Sequence, residues 1–327
     1  MSTGGQSGCV TSSTSDRDEV LLSVIIPVFD RPRAVIRAVR SVLAQEVPGA
    51  AEGAVEVIVV DDASVEPPDP ALMGPGVRLI RLARNGGPSA ARNAGIAVAR
   101  GKLVAFLDSD DVWLPGKLSG QLQVMAEAGR DRARPVAVTC GFYHPHRSTG
   151  RLQGRMPRGA DGVTEFASGC WYCPGTTVIV ERSVFGIVGP YDEGLRRLED
   201  LDWFVRFGRA GGRLLVHDGF GAIIAPSRSA GSPLVAGCCE RIRATFDPVR
   251  GSGLDPQSWR ALDGYLWFEL GAALLDEKAH ARATAAFVRA FARSPGLANT
   301  AAMFGERTDR CPEDVAALFS AMTSDKT

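Results

Sequence analysis

No apolar run in this sequence approaches the ~18 residues that a bilayer-spanning helix needs; Val57–Val60 and Leu103–Leu107 are typical of its longest. That argues against an integral helical membrane protein. Net charge is also missing: 37 Lys and Arg face 37 Asp and Glu, which disfavours a nucleic-acid binder held by its overall field. Cysteine is scarce and unordered. The seven, Cys9, Cys140, Cys170, Cys173, Cys238, Cys239 and Cys311, are odd in number and scattered, as expected for reduced thiols rather than a disulfide framework. Cys170 and Cys173 form a CxxC, but a zinc ribbon requires a second such pair and a redox pair requires a helix N-terminus. Residues 1–19 do not read as a secretion signal, since they are Ser-, Thr- and Gly-rich with no basic segment leading into an apolar one. Ser2 stands where myristoylation needs Gly, so this stretch reads as a flexible tail.

What is present is an ordinary globular composition, 45% hydrophobic and 23% charged over 327 residues, enough for one sizeable core and an appendage. Strand-like runs recur at Leu21–Phe29, Val55–Val60, Val77–Leu82 and Lys102–Leu107, with helical patterns over Ala34–Ala44 and Ser89–Arg100. Such alternation predicts a parallel sheet with helical crossovers. Polar residues gather where these strands stop: Asp30, then Asp61 and Asp62, then Asp108, Ser109, Asp110 and Asp111. In open α/β sheets the ligand crevice lies outside the carboxyl ends of the strands, so these acids are predicted to share one cleft. Turn-forming Asp satisfied by its own backbone explains one such position better than it explains three.

Further along, short strands are expected at Ala137–Cys140 and Thr176–Val180, and a helix over Leu201–Ala210. Beyond Gly237 the composition becomes Ala-rich, with helices predicted over Leu262–Leu275 and His280–Arg293 and a break at Ser294-Pro295-Gly296. The expected division is a tail over 1–19, a catalytic domain over 20–240 and a helical extension over 241–327.

Five ordered segments carry a resemblance: SVIIPVFDRP (23–32), EVIVVDDAS (56–64), NGGPSAARNAG (85–95), GKLVAFLDSDDVWLPGKL (101–118) and GPYDEGLRRLEDLDWFVRF (189–207). Together they resemble a family 2 glycosyltransferase of the GT-A fold, a Rossmann-like, mostly parallel central sheet flanked by helices. The resemblance implies an inverting, metal-dependent hexosyl transfer from a nucleotide-sugar donor, a UDP-sugar first among them, to a glycan, lipid-linked or protein acceptor. It also implies a divalent cation, Mn²⁺ or Mg²⁺, with Asp110 as its ligand in the DXD motif Asp108-Ser109-Asp110 and Asp111 behind it. Chemistry gives an independent reason, because a departing diphosphate gathers negative charge and hard cations take carboxylate oxygens. On the family pattern Asp62 meets the base, Pro27 and Asp30 line the same wall, and Asp108 and Ser109 position the nucleotide. Asp30 stands where Asn is more usual. Arg92 either contacts the donor or pairs with a core carboxylate.

Asp200, with Glu199 beside it, matches the family's catalytic base; the alternative is that Asp200 caps the following helix. Trp203 packs under the acceptor site or belongs to the core. Family members often carry a His before a Gly-Ser pair beyond the sheet, but here the stretch Pro226–Ser232 has none; Arg228 is a substitute there, and His217 reads as structural. In the extension, Trp267, Leu270, Gly271, Leu274, Ala283, Phe287, Ala290 and Pro295 fall at the spacings of one tetratricopeptide-like repeat. A single repeat cannot cover its own faces, so it is expected to pack on the core or to form a homo-oligomer. Two other classes are weaker. A nucleotidyltransferase needs a Gly-rich basic loop after the first strand, which Val28–Pro32 is not, and a scaffold with a vestigial cleft has no reason to keep Asp110 and Asp200. The expected location is the cytoplasm or the inner membrane face.

Overall fold

The computed structural model describes residues 20–49, 53–129, 134–146, 149–226, 230–250, 253–298, 306–308 and 310–324. The expected tail over 1–19 and Arg228 lie outside them. The first half alternates as expected: β1 (Leu22–Val28), α1 (Ala34–Leu43), β2 (Val55–Asp61), β3 (Val77–Arg81), α2 (Pro88–Val98) and β4 (Leu103–Phe106). Strands β4, β1, β2 and β3 lie side by side in that order, all parallel, with Val28 opposite Asp61 and Ile25 opposite Phe106. Their carboxyl ends therefore meet at one edge. These strands are near-continuous Val and Ile because both faces are covered. On one face pack Val35, Ala38, Val39 and Val42 of α1, and on the other Ala91 of α2 with an aromatic group that includes Phe166, Phe185, Trp203, Phe204 and Phe207.

The parallel order stops at β4. After β5 (Val112–Trp113) and α3 (Lys117–Ala128) come β6 (Val136–Pro145), β7 (Leu152–Met156), α4 (Val163–Ala167), α5 (Pro174–Thr177), β8 (Ile179–Glu181), α6 (Val184–Val188), α7 (Glu199–Arg209) and β9 (Arg213–Ile223). Strand β8 runs antiparallel to both β4 and β6, and β9 pairs parallel with β6, so the sheet as a whole is mixed. The strand expected over Thr176–Val180 begins only at Ile179, because Pro174–Thr177 form a helical turn. Since β8 is antiparallel to β4, with Ala105 opposite Ile179, that turn stands beside the end of β4.

The C-terminal part comprises α8 (Ser232–Phe246), α9 (Pro256–Asp276), α10 (His280–Arg293), β10 (Glu306–Thr308) and α11 (Glu313–Ser324). Residue 240 lies inside α8. Helices α9 and α10 form the helical pair seen in the sequence, antiparallel because Gly264 faces Ser294 while Gly271 faces Phe287. A β-carbon at Gly271 would sit 2.9 Å from the Phe287 ring, which is why that position is glycine. The inner face of α9 is covered by α7 and α8. Leu262, Tyr265 and Leu266 share a core with Leu201 and Val205 of α7 and with Val235, Cys239 and Ile242 of α8. The chain then returns to the sheet, since β10 pairs antiparallel with β7 and Val315 and Met322 of α11 pack on Val112, Tyr143 and Ile223. Among the described residues no helix is long and apolar enough to cross a membrane.

Candidate active site

The sheet's carboxyl edge opens into a cleft of about 1040 Å³ lined by Pro27, Asp30, Asp62, Arg92, Asp108, Ser109, Asp110, Glu199 and Asp200, together with Asp111 and Thr176. All nine residues singled out in the sequence thus share one cavity. Asp30 follows β1 with φ of 50°, a left-handed conformation that Asp and Asn adopt more readily than other side chains. Its N–H donates to Ser64 Oγ at 2.9 Å and its Oδ1 accepts from Val65 N–H at 2.8 Å, tying the ends of β1 and β2 together. Asp62 accepts the N–H groups of Gly86 and Gly87, each at 2.7 Å, and so fixes the Asn-Gly-Gly loop that opens α2.

Arg92, on α2, is almost fully buried. Its Nη1 lies 2.6 Å from Glu199 and 3.7 Å from Asp200, and its Nη2 lies 3.0 Å from Asp108. Burial opposes its charge, but Asp200, Asp108 and Glu199 hold it protonated. Of the two roles foreseen for Arg92, the geometry shows carboxylate pairing. The Phe106 and Tyr191 rings stand 5.8 and 5.6 Å from the guanidinium, completing its enclosure.

The DXD segment is held from two sides. The Thr176 hydroxyl donates to the Asp111 carboxylate and stands 3.3 Å from the Asp108 N–H. Ala225 N–H, just past β9, donates to the other Asp111 oxygen at 2.8 Å. Burial, then the charges of Asp108 and Asp110, push Asp111 well above the ordinary carboxylate range. Asp108 is also pushed up by burial, against the pull of Arg92. Asp110 faces the cleft 3.1 Å from Arg31. Gly175 lets α5 approach closely, since a β-carbon there would sit 2.8 Å from Arg92 Nη2 and 3.0 Å from Asp108 Oδ2.

Asp200 does not cap α7. The cap position is Leu198, left-handed at φ 64° and without a side-chain bond, and Asp200 lies in the first turn. Its Oδ1 is buried without a hydrogen-bond partner. Burial, helped by Glu199 and Asp108 and opposed by Arg92, pushes its pKa up to about 7. A carboxylate poised near neutrality, with one oxygen that accepts no hydrogen bond and only faces Arg92 at 3.7 Å, suits proton abstraction at ordinary pH.

Trp203 belongs to the core, 1% exposed with its N–H donated to the Gly189 carbonyl. His217 lines neither this cleft nor its neighbour and is pushed down by burial. Several contributors were not singled out in the sequence: Arg31, Thr176, Arg196, Arg197 and Glu269 all line the cleft. Cys170 and Cys173, noticed only as a pair, are free thiols on its wall.

Comparison with known proteins decides the family. A sequence profile described as Glycosyl transferase family 2 matches residues 23–186, half of the chain. The chain belongs to glycosyl transferase family 2. Among its relatives is the succinoglycan biosynthesis protein ExoO of Rhizobium meliloti, 43% identical over 112 residues, 33% of this chain and 30% of that protein. Another is ExoU of the same organism, 30% identical over 233 residues, 64% of each chain. The chain thus spans less than two thirds of the length of these curated relatives. Among solved structures, S. aureus TarS 1-349 in complex with UDP superposes with a TM-score of 0.51 at 17% identity, covering 86% of this chain and 92% of that one. That likeness shows the glycosyltransferase fold. In this family 2 chain the matched segment includes the Asp62, Arg92 and DXD positions and stops before α7, so Glu199 and Asp200 enter the cleft from outside it.

Proposed function

We propose that this family 2 chain is an inverting glycosyltransferase that moves a hexosyl group from a nucleoside-diphosphate sugar to a hydroxyl of a glycan, lipid-linked or protein acceptor in polysaccharide or glycoconjugate assembly. The observation that carries the reading is Asp200 at the wall of the acid-lined cleft, its Oδ1 without a hydrogen-bond partner and 3.7 Å from Arg92 Nη1. In the proposed step the acceptor oxygen attacks the anomeric carbon from the face opposite the diphosphate. The carbon–oxygen bond to the diphosphate breaks, and the electron pair leaves with the nucleotide. The acceptor proton passes to Asp200. Arg92, by holding Glu199 and Asp108, fixes the base against the donor side of the cleft, and the Asp62-bound loop shapes the nucleotide end.

A divalent cation belongs to the proposal. Among the described residues no three His, Cys, Asp or Glu side chains form a cage that could hold a metal by itself. The cleft wall nevertheless carries Asp30, Asp62, Asp108, Asp110, Asp111, Glu199, Asp200 and Glu269 against only Arg31, Arg92, Arg196 and Arg197. Such an acidic wall repels a diphosphate unless a cation offsets it. The residues therefore fit an ion held by Asp110 and completed by donor phosphate oxygens. When bound, Mn²⁺ or Mg²⁺ supplies charge neutralisation to the departing diphosphate.

Calorimetric and thermal-shift titration against a panel of nucleotide sugars, UDP-sugars first, with and without Mn²⁺, tests the reading. One donor is expected to bind and, at 100 times its Kd, to stabilise the fold by ~2.7 kcal/mol. Failure of every nucleotide sugar to bind would leave the scaffold reading.

A further inference from the structure

Of the three acids that follow β4, two are held by buried partners. Asp108 pairs with Arg92, and the two oxygens of Asp111 accept hydrogen bonds from Thr176 and Ala225. Asp110 differs. Among the described residues its carboxylate has one partner, Arg31, whose Nη1 lies 3.1 Å from Asp110 Oδ1. The two side chains are unequally placed, since Asp110 is 16% exposed and Arg31 42%. The carboxylate thus sits in the cleft wall, and the guanidinium reaches it from the solvent side. The main chain below Arg31 is fixed, because Asp30 is tied to Ser64 and Val65 across the ends of β1 and β2. Its long side chain can therefore leave Asp110 by rotamer changes alone. Arg92 has no such freedom, being 3% exposed between Asp108 and Glu199, and Arg196 is engaged by Asn85.

We infer that Arg31 is the exchangeable counter-ion of Asp110: a divalent cation displaces it from the carboxylate, and the released guanidinium turns to the donor diphosphate. The inference rests on the metal-dependent glycosyltransferase reading above and adds a residue that makes cation and nucleotide bind cooperatively. A guanidinium and a divalent ion cannot share Asp110 Oδ1, because two cations against one oxygen repel. A cation binding alone must break the ion pair. A diphosphate offers Arg31 another anionic partner, and one whose oxygens match the fork of the guanidinium. Nucleotide thus frees Asp110 and raises the affinity for the cation, and by reciprocity the cation raises the affinity for nucleotide by the same factor.

The test uses the full chain, with Mn²⁺ and UDP as probes. Mn²⁺ binding is followed by its electron paramagnetic resonance signal, alone and with saturating UDP, after subtraction of the Mn²⁺ that UDP holds in solution. UDP binding is followed by calorimetry with and without Mn²⁺. In the parent protein UDP should tighten Mn²⁺ binding about ten-fold or more. Arg31→Gln should bind Mn²⁺ alone roughly two- to five-fold more tightly, the effect of removing a partly exposed ion pair. The same variant should bind UDP alone more weakly and show a smaller coupling between the two. Arg197→Gln removes an equal charge from the cleft wall without touching Asp110, so it should leave Mn²⁺ binding within about two-fold of the parent. Unchanged or weaker Mn²⁺ binding by Arg31→Gln, an equal gain in Arg197→Gln, or undiminished coupling would overturn the inference. The glycosyltransferase reading survives those results as long as the parent binds UDP and Asp110→Asn loses Mn²⁺. A parent protein that binds no UDP would instead overturn the donor reading, and the inference with it.

Discussion

Asp200 is held in a place that costs the fold stability, and replacing it should show this. Its pKa rises from 3.8 to about 7, roughly three units at about 1.4 kcal/mol each, or ~4 kcal/mol as an upper bound. Local relaxation around the buried group reduces this, so about 2–4 kcal/mol is expected. The sign follows from linkage: a folded-state pKa above the unfolded value adds stability that is complete below the unfolded pKa and is lost as pH rises through about 7. Asp200→Asn, which stays neutral throughout, should therefore match the parent protein near pH 3.5. It should gain on it steadily above pH ~4 and keep a constant advantage above pH ~7. At about 2 °C per kcal/mol, the low end of the range for large domains and the value suited to a chain this long, the melting temperature at pH 8 should rise by roughly 4–8 °C. Thermal melts of both proteins across the pH range measure this. A variant that melts at or below the parent at pH 8 would mean that the Arg92 contact, not burial, governs Asp200.

Three further outcomes follow from the same geometry. Asp110→Asn removes the charge proposed to hold the cation, so calorimetric UDP affinity should lose its dependence on Mn²⁺; an unchanged dependence moves the metal elsewhere. Truncation near residue 240 would expose Leu201, Val205 and Val235, so light scattering should show an aggregating or newly oligomeric core; a monodisperse product with the parent's melting temperature contradicts this. Gly175→Ala places a β-carbon 2.8 Å from Arg92 Nη2, and should cost about 1–3 kcal/mol of stability in chemical denaturation as α5 is pushed off the DXD segment.

The first half of the fold was legible because its signals are local. Val- and Ile-rich runs broken by Asp or Gly gave β1, β2, β3 and β4 to within a residue or two, and parallel pairing then brought Asp30, Asp62 and Asp108 to one edge. Asp200 needed the motif resemblance, since an acid at a helix start reads first as a cap. That reading fails because Leu198 takes the cap position. Thr176 was placed in a strand because Thr-Thr-Val-Ile-Val has strand propensity, whereas Pro174 starts a turn that only the neighbouring β4 explains. The return of β10 to β7, and of Glu269 to the cleft wall, depends on contacts more than 90 residues apart in sequence, which no local pattern encodes. Arg92 fell between these cases: its charge was visible, but its pairing with Glu199 and Asp108 appears only in three-dimensional packing.

The central claim is that Asp200 removes the acceptor proton, and one variant tests it directly. Donor titration and turnover are measured together on Asp200→Asn, with the donor found by the panel above and its acceptor. Donor affinity should persist, because Asp62, Asp108 and Asp110 are untouched, while transfer falls by a factor on the order of 10² to 10⁴. Near-normal turnover by a well-folded Asp200→Asn protein would contradict the account and leave Glu199 as the next candidate for the base.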